Sequence, residues 1–185
     1  MILLGWRFRK IIILGGGYKK IMQSIKYLVM DVDGTLTDGK IYMGNNGEVF
    51  KAFNIKDGCG IHDILITNGI IPIIITGRRS AIVENRCKEI GITYIFQGVT
   101  DKIKELEKIT NNFSEVAYIG DDINDLSCIV SVREAGGKIG CPADAVEKVR
   151  KVADFISEKK GGEGAVREFI EWLVKNCNGS ELNVV

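Results

Sequence analysis

Short apolar runs alternate with longer amphipathic segments along most of this chain. The runs Tyr27–Met30 and Val116–Ile119, and a third at residues 73–75, are continuously apolar, which is typical of strands buried on both faces of a sheet. Further short strands are predicted near Ile70, Tyr94 and Lys138. Helices are predicted at residues 60–67, 80–90, 101–110, 124–130, 143–151 and 165–176. This alternation predicts an α/β fold built on a doubly wound parallel sheet.

One segment departs from the alternation. Residues 40–43 and 48–53 are strand-like, and they flank Gly44-Asn45-Asn46-Gly47, which is a strong hairpin signal. We therefore expect a β-hairpin insertion at residues 40–53. The intervals 38–57 and 79–101 have room only for this hairpin and for one helix with a strand, so we expect no cap domain.

Composition indicates one domain that acts on a small molecule. The 185 residues are 45% hydrophobic and 26% charged, which suits a single well-buried core. A net charge of +1 without a long basic run gives no reason to expect nucleic acid as the partner. The five cysteines form no CxxC pair, which fits a reducing, cytoplasmic compartment.

The first residues of the chain need a separate interpretation. The apolar stretch 11–14 is too short to span a bilayer, so we expect no membrane partner. The glycines at 15–17 precede Met22 at a spacing that would suit a ribosome-binding site in the coding sequence, and we interpret Met22 as the start of translation. The predicted organisation is an N-terminal extension at residues 1–25, a core at residues 26–176 that contains hairpin 40–53, and a C-terminal tail at residues 177–185.

Polar side chains collect where the predicted strands end. Asp31 and Asp33 follow the strand at Tyr27–Met30, and residues two apart on an extended chain point to the same side. The run 73–75 leads into Thr76, Gly77 and Arg78, the strand Val116–Ile119 leads into an acidic cluster, and Lys102 lies at the start of a predicted helix. In an open α/β sheet ligands bind beyond the carboxyl ends of the strands. The pattern predicts a phosphoryl-transfer site. The members of the acidic cluster are Asp121, Asp122, Asn124 and Asp125.

These four constellations resemble the four motifs of the haloacid dehalogenase superfamily of phosphohydrolases, over residues 26 to about 125. The resemblance implies that Asp31 is the nucleophile, that Asp33 is the general acid and base, and that Thr76 and Lys102 hold the phosphoryl oxygens. It also implies Mg²⁺, bound by Asp31, Asp121 and the backbone carbonyl of Asp33, because Mg²⁺ prefers hard oxygen ligands. Three further residues are expected to orient the metal ligands or to cap the next helix. They are Asp122, Asn124 and Asp125.

Other stretches resemble one family within the superfamily, the 3-deoxy-D-manno-octulosonate 8-phosphate phosphatases. They lie at residues 37–48, 51–58, 76–79, 84–87 and 161–168. The resemblance implies a capless, cytoplasmic, homotetrameric enzyme of lipopolysaccharide inner-core biosynthesis that releases phosphate from a sugar-acid phosphate. The family commonly has Arg or Lys where this chain has His62. Seven residues are expected to bind the sugar acid, and they are Asn54, Asp57, Gly58, His62, Gly77, Arg78 and Arg86.

Several alternatives stay open at this point. A nine-carbon sialic-type sugar-acid 9-phosphate is the alternative substrate, although enzymes that act on it tend to carry Glu where Arg78 stands. A non-catalytic metal-binding scaffold is the alternative of another class. A dinucleotide-binding domain is disfavoured, because the glycines at 15–17 do not form GxGxxG after a strand. The glycine-rich segment 161–164 is expected to cover the crevice of its own chain or of a neighbouring subunit.

Overall fold

The computed structural model describes residues 25–177. The predicted extension, apart from Ile25, and the predicted tail, apart from Cys177, lie outside the described residues, as does the proposed start at Met22. Within residues 25–177, no helix is long and apolar enough to cross a membrane.

The centre of the fold is a six-stranded, all-parallel sheet with the order β5-β4-β1-β6-β7-β8. This order places β1 between β4 and β6, so the chain segments that follow these three strands emerge side by side. The predicted doubly wound parallel sheet is confirmed. Its strands are β1 (Tyr27–Met30), β4 (Ile71–Thr76), β5 (Tyr94–Gln97), β6 (Val116–Ile119), β7 (Lys138–Cys141) and β8 (Phe155–Ile156).

Helices cover both faces of the sheet. Leu28 and Met30 pack on one face with α2, α6 and the π-helical segment Gly60–Leu65, whereas Val29 packs on the other face with α3, α4 and α5. This division follows from the period of two along β1, which sends neighbouring side chains to opposite faces. The helices are α1 (Ile55–Cys59), α2 (Ala81–Glu89), α3 (Lys102–Ile109), α4 (Leu126–Ala135), α5 (Glu147–Arg150) and α6 (Ala165–Cys177).

The predicted hairpin forms a separate antiparallel ribbon. It consists of β2 (Tyr42–Gly44) and β3 (Gly47–Phe50), so its strands are shorter than the predicted range 40–53. The rings of Tyr42 and Phe50 stack across the ribbon with centroids 4.2 Å apart. Met43 and Val49 are more than half exposed. A two-stranded ribbon with exposed apolar side chains is marginal in water by itself.

Several predicted element boundaries were wrong. The helix predicted at 60–67 begins earlier, at Ile55, and continues through a π-helical segment (Gly60–Leu65) and a 3-10 turn (Ile66–Asn68). Asn54 caps this helix by accepting the N–H of Lys56, but Gly58 and Gly60 lowered the local helix propensity and hid its start. The fourth helix runs five residues beyond the predicted 124–130, and α5 is much shorter than the predicted 143–151. Strand β8 was missed, because two residues carry no periodicity.

Candidate active site at the carboxyl edge of the sheet

The predicted nucleophile and the predicted lysine meet at the end of β1. Asp31 is buried, and its Oδ1 lies 2.9 Å from the Nζ of Lys102. Lys102 is the first residue of α3, where the Asp101 side chain caps the helix. Burial lowers the pKa of Lys102, but the charges and hydrogen bonds of Asp31 and Asp125 outweigh burial and raise it above its ordinary value. The lysine is therefore a fixed cation beside Asp31.

Three carboxylates lie unusually close together around this point. Ligand oxygens of Asp31, Asp121 and Asp125 all lie within 4.8 Å of one another. Burial and then the charge of Asp125 raise the pKa of Asp31 to about 6. Burial and then the charges of Asp31 and Asp125 raise the pKa of Asp121 to about 7. Among residues 25–177, Lys102 is the cation paired with this cluster, and one positive charge against three acids fits a divalent cation bound by oxygen ligands.

The backbone is shaped for the approach of Asp121. Gly34 has a φ of +91°, and a Cβ at this position would lie 2.1 Å from the Oδ2 of Asp121. The hydroxyl of Thr35 donates to the Oδ1 of Asp121 at 3.1 Å. Only glycine leaves room for the Asp121 carboxylate beside the segment that follows β1, which keeps it close to Asp31.

Asp125 has a different role from the other two acids. Its Oδ1 accepts hydrogen bonds from Lys102 and from the hydroxyl of Tyr118, each at 2.7 Å. Its Oδ2 accepts from the backbone N–H groups of Asp121 and Asp122. Since both oxygens are occupied by protein donors, Asp125 orients Lys102 and the loop that carries Asp121. The contribution of Tyr118 was not predictable from the sequence, because the apolar pattern indicates only a buried strand position there.

The remaining polar residues of this loop lie farther out. Asp122 is exposed and its Oδ1 accepts the N–H of Ile123, so it caps the short turn that precedes α4. Asn124 is exposed. Of the two roles expected for these residues, the geometry favours capping for Asp122.

Asp33 lies in a second polar group, which draws on the hairpin. The Oδ1 of Asp33 accepts a short hydrogen bond from Lys51, and its Oδ2 lies 3.7 Å from the Nε of Arg78. Lys51 in turn lies 3.1 Å from Glu48. Sequence reasoning missed both Lys51 and Glu48 as site residues. Their only signal was their position within the hairpin segments that carry the family resemblance.

Thr76 is the last residue of β4 and is buried. The register pairs Met30 with Ile74, so Thr76 is level with the segment that follows β1. Gly77 and Arg78 come next and are exposed. The structure therefore brings the predicted residues at the end of β4 to the same edge as Asp31 and Asp33.

A third group of predicted residues surrounds the start of α1. Asn54, Gly58 and Arg86 line a small cavity, and a Cβ at Gly58 would lie 2.5 Å from the Nη2 of Arg86. Arg86 is mostly buried and pairs with Glu89 at 2.9 Å. The absence of a side chain at Gly58 thus lets the Arg86 guanidinium cross α1. His62 does not join this group, because its side chain is 63% exposed and contacts Asp63.

Asp57 lines the same cavity, but its carboxylate binds the start of α6. It is almost fully buried, and its Oδ1 accepts the N–H of Arg167 at 2.8 Å, at the start of α6. Burial raises the pKa of Asp57 to about 6, although hydrogen bonds from the backbone of Arg167, Gly164 and Val166 favour the charged form. Asp57 therefore caps α6 and anchors the glycine-rich segment to α1.

The glycine-rich segment 161–164 lies against its own chain. The N–H of Gly162 donates to the carbonyl of Thr35 at 3.1 Å, and Asn54 donates to the carbonyl of Gly162 at 3.3 Å. A Cβ at Gly161 would lie 1.9 Å from the carbonyl oxygen of Gly34. The segment therefore packs directly on the loop that carries Asp33, in the same subunit.

Comparison with known proteins gives a consistent result. No family model matches the chain. It is 44% identical over 156 residues to the 3-deoxy-D-manno-octulosonate 8-phosphate phosphatase KdsC of Escherichia coli K12, covering 82% of this chain and 80% of that protein. The phosphatase of the same name from Yersinia pestis is 41% identical over 155 residues, with the same two coverages.

Solved structures agree with these sequence matches. The Moraxella catarrhalis 3-deoxy-D-manno-octulosonate 8-phosphate phosphatase, solved with magnesium, phosphate and KDO, superposes with a TM-score of 0.77 at 44% identity, over 85% of this chain and 90% of that chain. The cobalt-bound Haemophilus influenzae phosphatase gives a TM-score of 0.78 at 32% identity, over 88% and 95% of the two chains.

Proposed function

The chain belongs to the 3-deoxy-D-manno-octulosonate 8-phosphate phosphatase family of the haloacid dehalogenase superfamily, and we infer that its acidic crevice carries out that family's reaction. It is a Mg²⁺-dependent phosphoric monoester hydrolase that releases the free sugar acid and phosphate. The observation that carries this conclusion is the contact of buried Asp31 with Lys102 inside a cluster of acids. Such a reaction fits lipopolysaccharide biosynthesis.

The residues of the crevice suit a metal-assisted displacement. We assign the metal ligands to Asp31, Asp121 and the backbone carbonyl of Asp33. Bound Mg²⁺ supplies the positive charge that lets a dianionic phosphate approach a carboxylate. Gly34 provides the space in which Asp121 reaches the same point as Asp31. Asp125 is left out of this ligand set, because Lys102, Tyr118 and the loop backbone occupy both of its oxygens.

Four side chains carry out the steps of the reaction. Asp31 attacks phosphorus in line, so that an aspartyl phosphate forms as the bond to the sugar oxygen breaks. Asp33 donates its proton to the departing sugar oxygen. Asp33 next removes a proton from the water that attacks the aspartyl phosphate, which releases phosphate and restores Asp31. Lys102 and Thr76 hold the nonbridging oxygens while negative charge spreads over them.

The alternatives left open by the sequence are not favoured. The named relatives act on the eight-carbon sugar acid, which disfavours the nine-carbon substrate and the non-catalytic scaffold alike. A direct test incubates the purified protein with a panel of sugar-acid phosphates and measures phosphate release with Mg²⁺ and with a chelator. We expect turnover of the octulosonate 8-phosphate that stops on chelation. Equal turnover of the nine-carbon substrate, or turnover that persists after chelation, would contradict the proposal.

We further propose that the enzyme is a cytoplasmic homotetramer. The support is the exposed apolar surface of the hairpin, which includes Ile41, Met43, Val49 and Phe50. Association of four ribbons would bury these side chains and remove the open strand edges. Sedimentation equilibrium tests the proposal, since a wild-type monomer that retains full activity would contradict it.

Arg78 is assigned to the carboxylate of the sugar acid. Its guanidinium is nearly half exposed and lies 3.7 Å from Asp33, so it is close to the reacting centre and open to a ligand. Arg78→Ala is expected to raise the KM for the octulosonate phosphate by about 10- to 100-fold, the scale of a lost charged hydrogen bond. The KM for an aryl phosphate, which has no such carboxylate, should barely change. Equal losses on the two substrates in steady-state assays would instead place Arg78 on the phosphate.

The metal-free protein is expected to lose stability as the pH rises from about 4 to about 7. Folding raises the pKa of Asp31 to about 6 and that of Asp121 to about 7, whereas an unfolded Asp titrates near 3.9. The unfolded chain therefore releases these protons first, and unfolding becomes more favourable throughout that interval.

Added Mg²⁺ should reverse this loss, because it binds the ionised acids of the native protein. Its effect on the melting temperature should thus be larger at about pH 8 than at about pH 5. Thermal unfolding in chelator and in excess Mg²⁺ provides the measurement. Asp57 should leave a smaller pH dependence that Mg²⁺ does not remove, since burial raises its pKa to about 6 away from the acid cluster. A Mg²⁺ effect that is the same at both pH values would contradict the assignment.

A further inference from the structure

Lys51 is a buried cation whose charge is satisfied by two acids. Its side chain is only 2% exposed, although lysines are almost never fully buried without a partner. The Nζ of Lys51 donates to the Oδ1 of Asp33 and lies 3.1 Å from the Oε1 of Glu48. The lysine follows directly after β3, so it brings the hairpin into contact with the acid expected to move the proton.

Glu48 fixes this lysine from the other side. The Oε2 of Glu48 accepts a short hydrogen bond from the hydroxyl of Ser80, and its Oε1 lies 3.6 Å from the Nη2 of Arg78. Ser80 is itself held, because its N–H donates to the side chain of Gln97 at 2.8 Å and its hydroxyl caps α2. The group therefore joins three elements, which are the hairpin, the loop after β4 and the loop after β1.

The position of Lys51 leaves only one oxygen of Asp33 for chemistry. Oδ1 is occupied by the ammonium, whereas the cation nearest to Oδ2 among residues 25–177 is the more distant Arg78. A general acid must hold its proton within hydrogen-bond reach of the leaving oxygen, and a free carboxylate rotates about its Cβ–Cγ bond. Lys51 is also poorly placed to bind substrate, because its ammonium lies between two carboxylates and is shielded from solvent.

We propose that Lys51 is a positioning residue for the general acid, and that it holds Oδ1 of Asp33 so that Oδ2 faces the departing sugar oxygen; the inference rests on the proposed function. Glu48 and Ser80 set the position of Lys51. The hairpin thus contributes to proton transfer as well as to assembly.

This role has a consequence that depends on the leaving group. A sugar alkoxide is a strong base and needs a proton as it departs, whereas a nitrophenolate departs without one. Loss of the positioning lysine should therefore slow sugar-phosphate hydrolysis more than aryl-phosphate hydrolysis, which needs Asp33 only as the base in the shared second step. A residue that only supported the fold would affect both reactions equally.

The test compares Lys51→Met, Asp33→Asn and the double variant, each as the full chain with Mg²⁺. Lys51→Met should lower kcat on the octulosonate phosphate by about 10- to 100-fold, a part of the usual contribution of general acid catalysis, with little change in KM. Turnover of p-nitrophenyl phosphate should fall by a smaller factor, because its first step needs no proton from Asp33 and only the shared second step is affected. In the Asp33→Asn background the same change should cause no further loss on the sugar phosphate, because the two residues act as one unit. Lys88→Met, which removes an exposed surface pair, is the matched control and should behave as wild type.

Three results would overturn the inference: equal losses on the two substrates, a loss confined to KM, or a further full loss in the Asp33→Asn background. If Lys51→Met does not fold, Glu48→Gln carries the test, and it should give a smaller loss with the same preference for the sugar phosphate. Wild-type protein assayed in parallel distinguishes a failure of the proposed function from a failure of the role proposed for Lys51. Failure of the wild type on the octulosonate phosphate would contradict the proposed function, whereas normal wild-type turnover with a substrate-independent loss in Lys51→Met would contradict only the role of Lys51.

Discussion

Asp31→Asn is expected to abolish turnover of every phosphate monoester, with a loss of about 10⁴-fold or more, the scale seen when an enzyme loses its nucleophile. The amide cannot attack phosphorus, and the change also removes one negative charge from the proposed metal site. Asp33→Asn should behave differently and retain slow turnover of aryl phosphates, because a good leaving group departs without a proton from Asp33. Phosphate release from sugar and aryl substrates by both variants provides the measurement.

The fold of the Asp31→Asn variant should remain intact, which separates a catalytic loss from unfolding. Burial and the charge of Asp125 raise the pKa of Asp31 to about 6, so its ionised form carries an electrostatic cost near neutral pH that the amide avoids. Lys102 keeps Asp125 as its partner at 2.7 Å. We therefore expect a melting temperature in chelator at least equal to that of the wild type. Turnover by Asp31→Asn at the wild-type rate would contradict the proposed mechanism.

The sequence predicted which acids of the candidate site lie together, because these acids directly follow buried strands. The apolar pattern shows where β1, β4 and β6 end. Because these strands are parallel neighbours, their carboxyl ends lie at the same edge of the sheet. The proximity of Asp121 to Asp31 follows from that arrangement, whereas Lys102, at the start of α3, was assigned through the family resemblance. The residues were thus predictable from local pattern and one topological rule, together with the family resemblance.

Contacts that depend on how separate elements dock were not predictable in this way. Lys51 reaches Asp33 only because the hairpin folds back over the loop after β1, and nothing in the alternation of residues 40–53 indicates that direction. Asp57 was expected to bind the sugar acid because it lies in a stretch that carries the family resemblance, and nothing in that stretch indicates that α6 places its N-terminal backbone over this carboxylate. The sequence pattern indicates only that Tyr118 is a core residue. The hydrogen bond from its hydroxyl to Asp125 forms because the fold brings the end of β6 and the following loop together. The residue type determines which contacts a side chain can make, whereas the packing of separate elements determines which partner it contacts.

Gly34 is the position where a single methyl group should do the greatest damage outside the ionisable residues. Gly34→Ala would place a Cβ about 2.1 Å from the Oδ2 of Asp121, which is far inside van der Waals contact. Asp121 or the loop after β1 must then move, so the proposed metal ligands no longer converge. We expect kcat with the octulosonate phosphate to fall by about 100-fold or more, in line with the effect of a 1 Å misplacement at a reacting centre, together with a higher Mg²⁺ concentration for half-maximal rate. Steady-state assays over a Mg²⁺ series measure both.

Gly69→Ala is the matched control for that experiment. Gly69 also has a positive φ, +74° against +91° for Gly34, so an alanine at either position carries a similar left-handed backbone strain of about 1–2 kcal/mol. A Cβ at Gly69, however, would have no atom within 4 Å. Backbone strain should therefore cost both variants a similar amount of thermal stability in chelator, and the clash should add a further loss in Gly34→Ala. Only Gly34→Ala should lose activity and Mg²⁺ response. Both variants carry the backbone strain, but only Gly34→Ala carries the clash with Asp121. Equal activity in the two variants would therefore show that the close approach of Gly34 and Asp121 is not needed for the metal site.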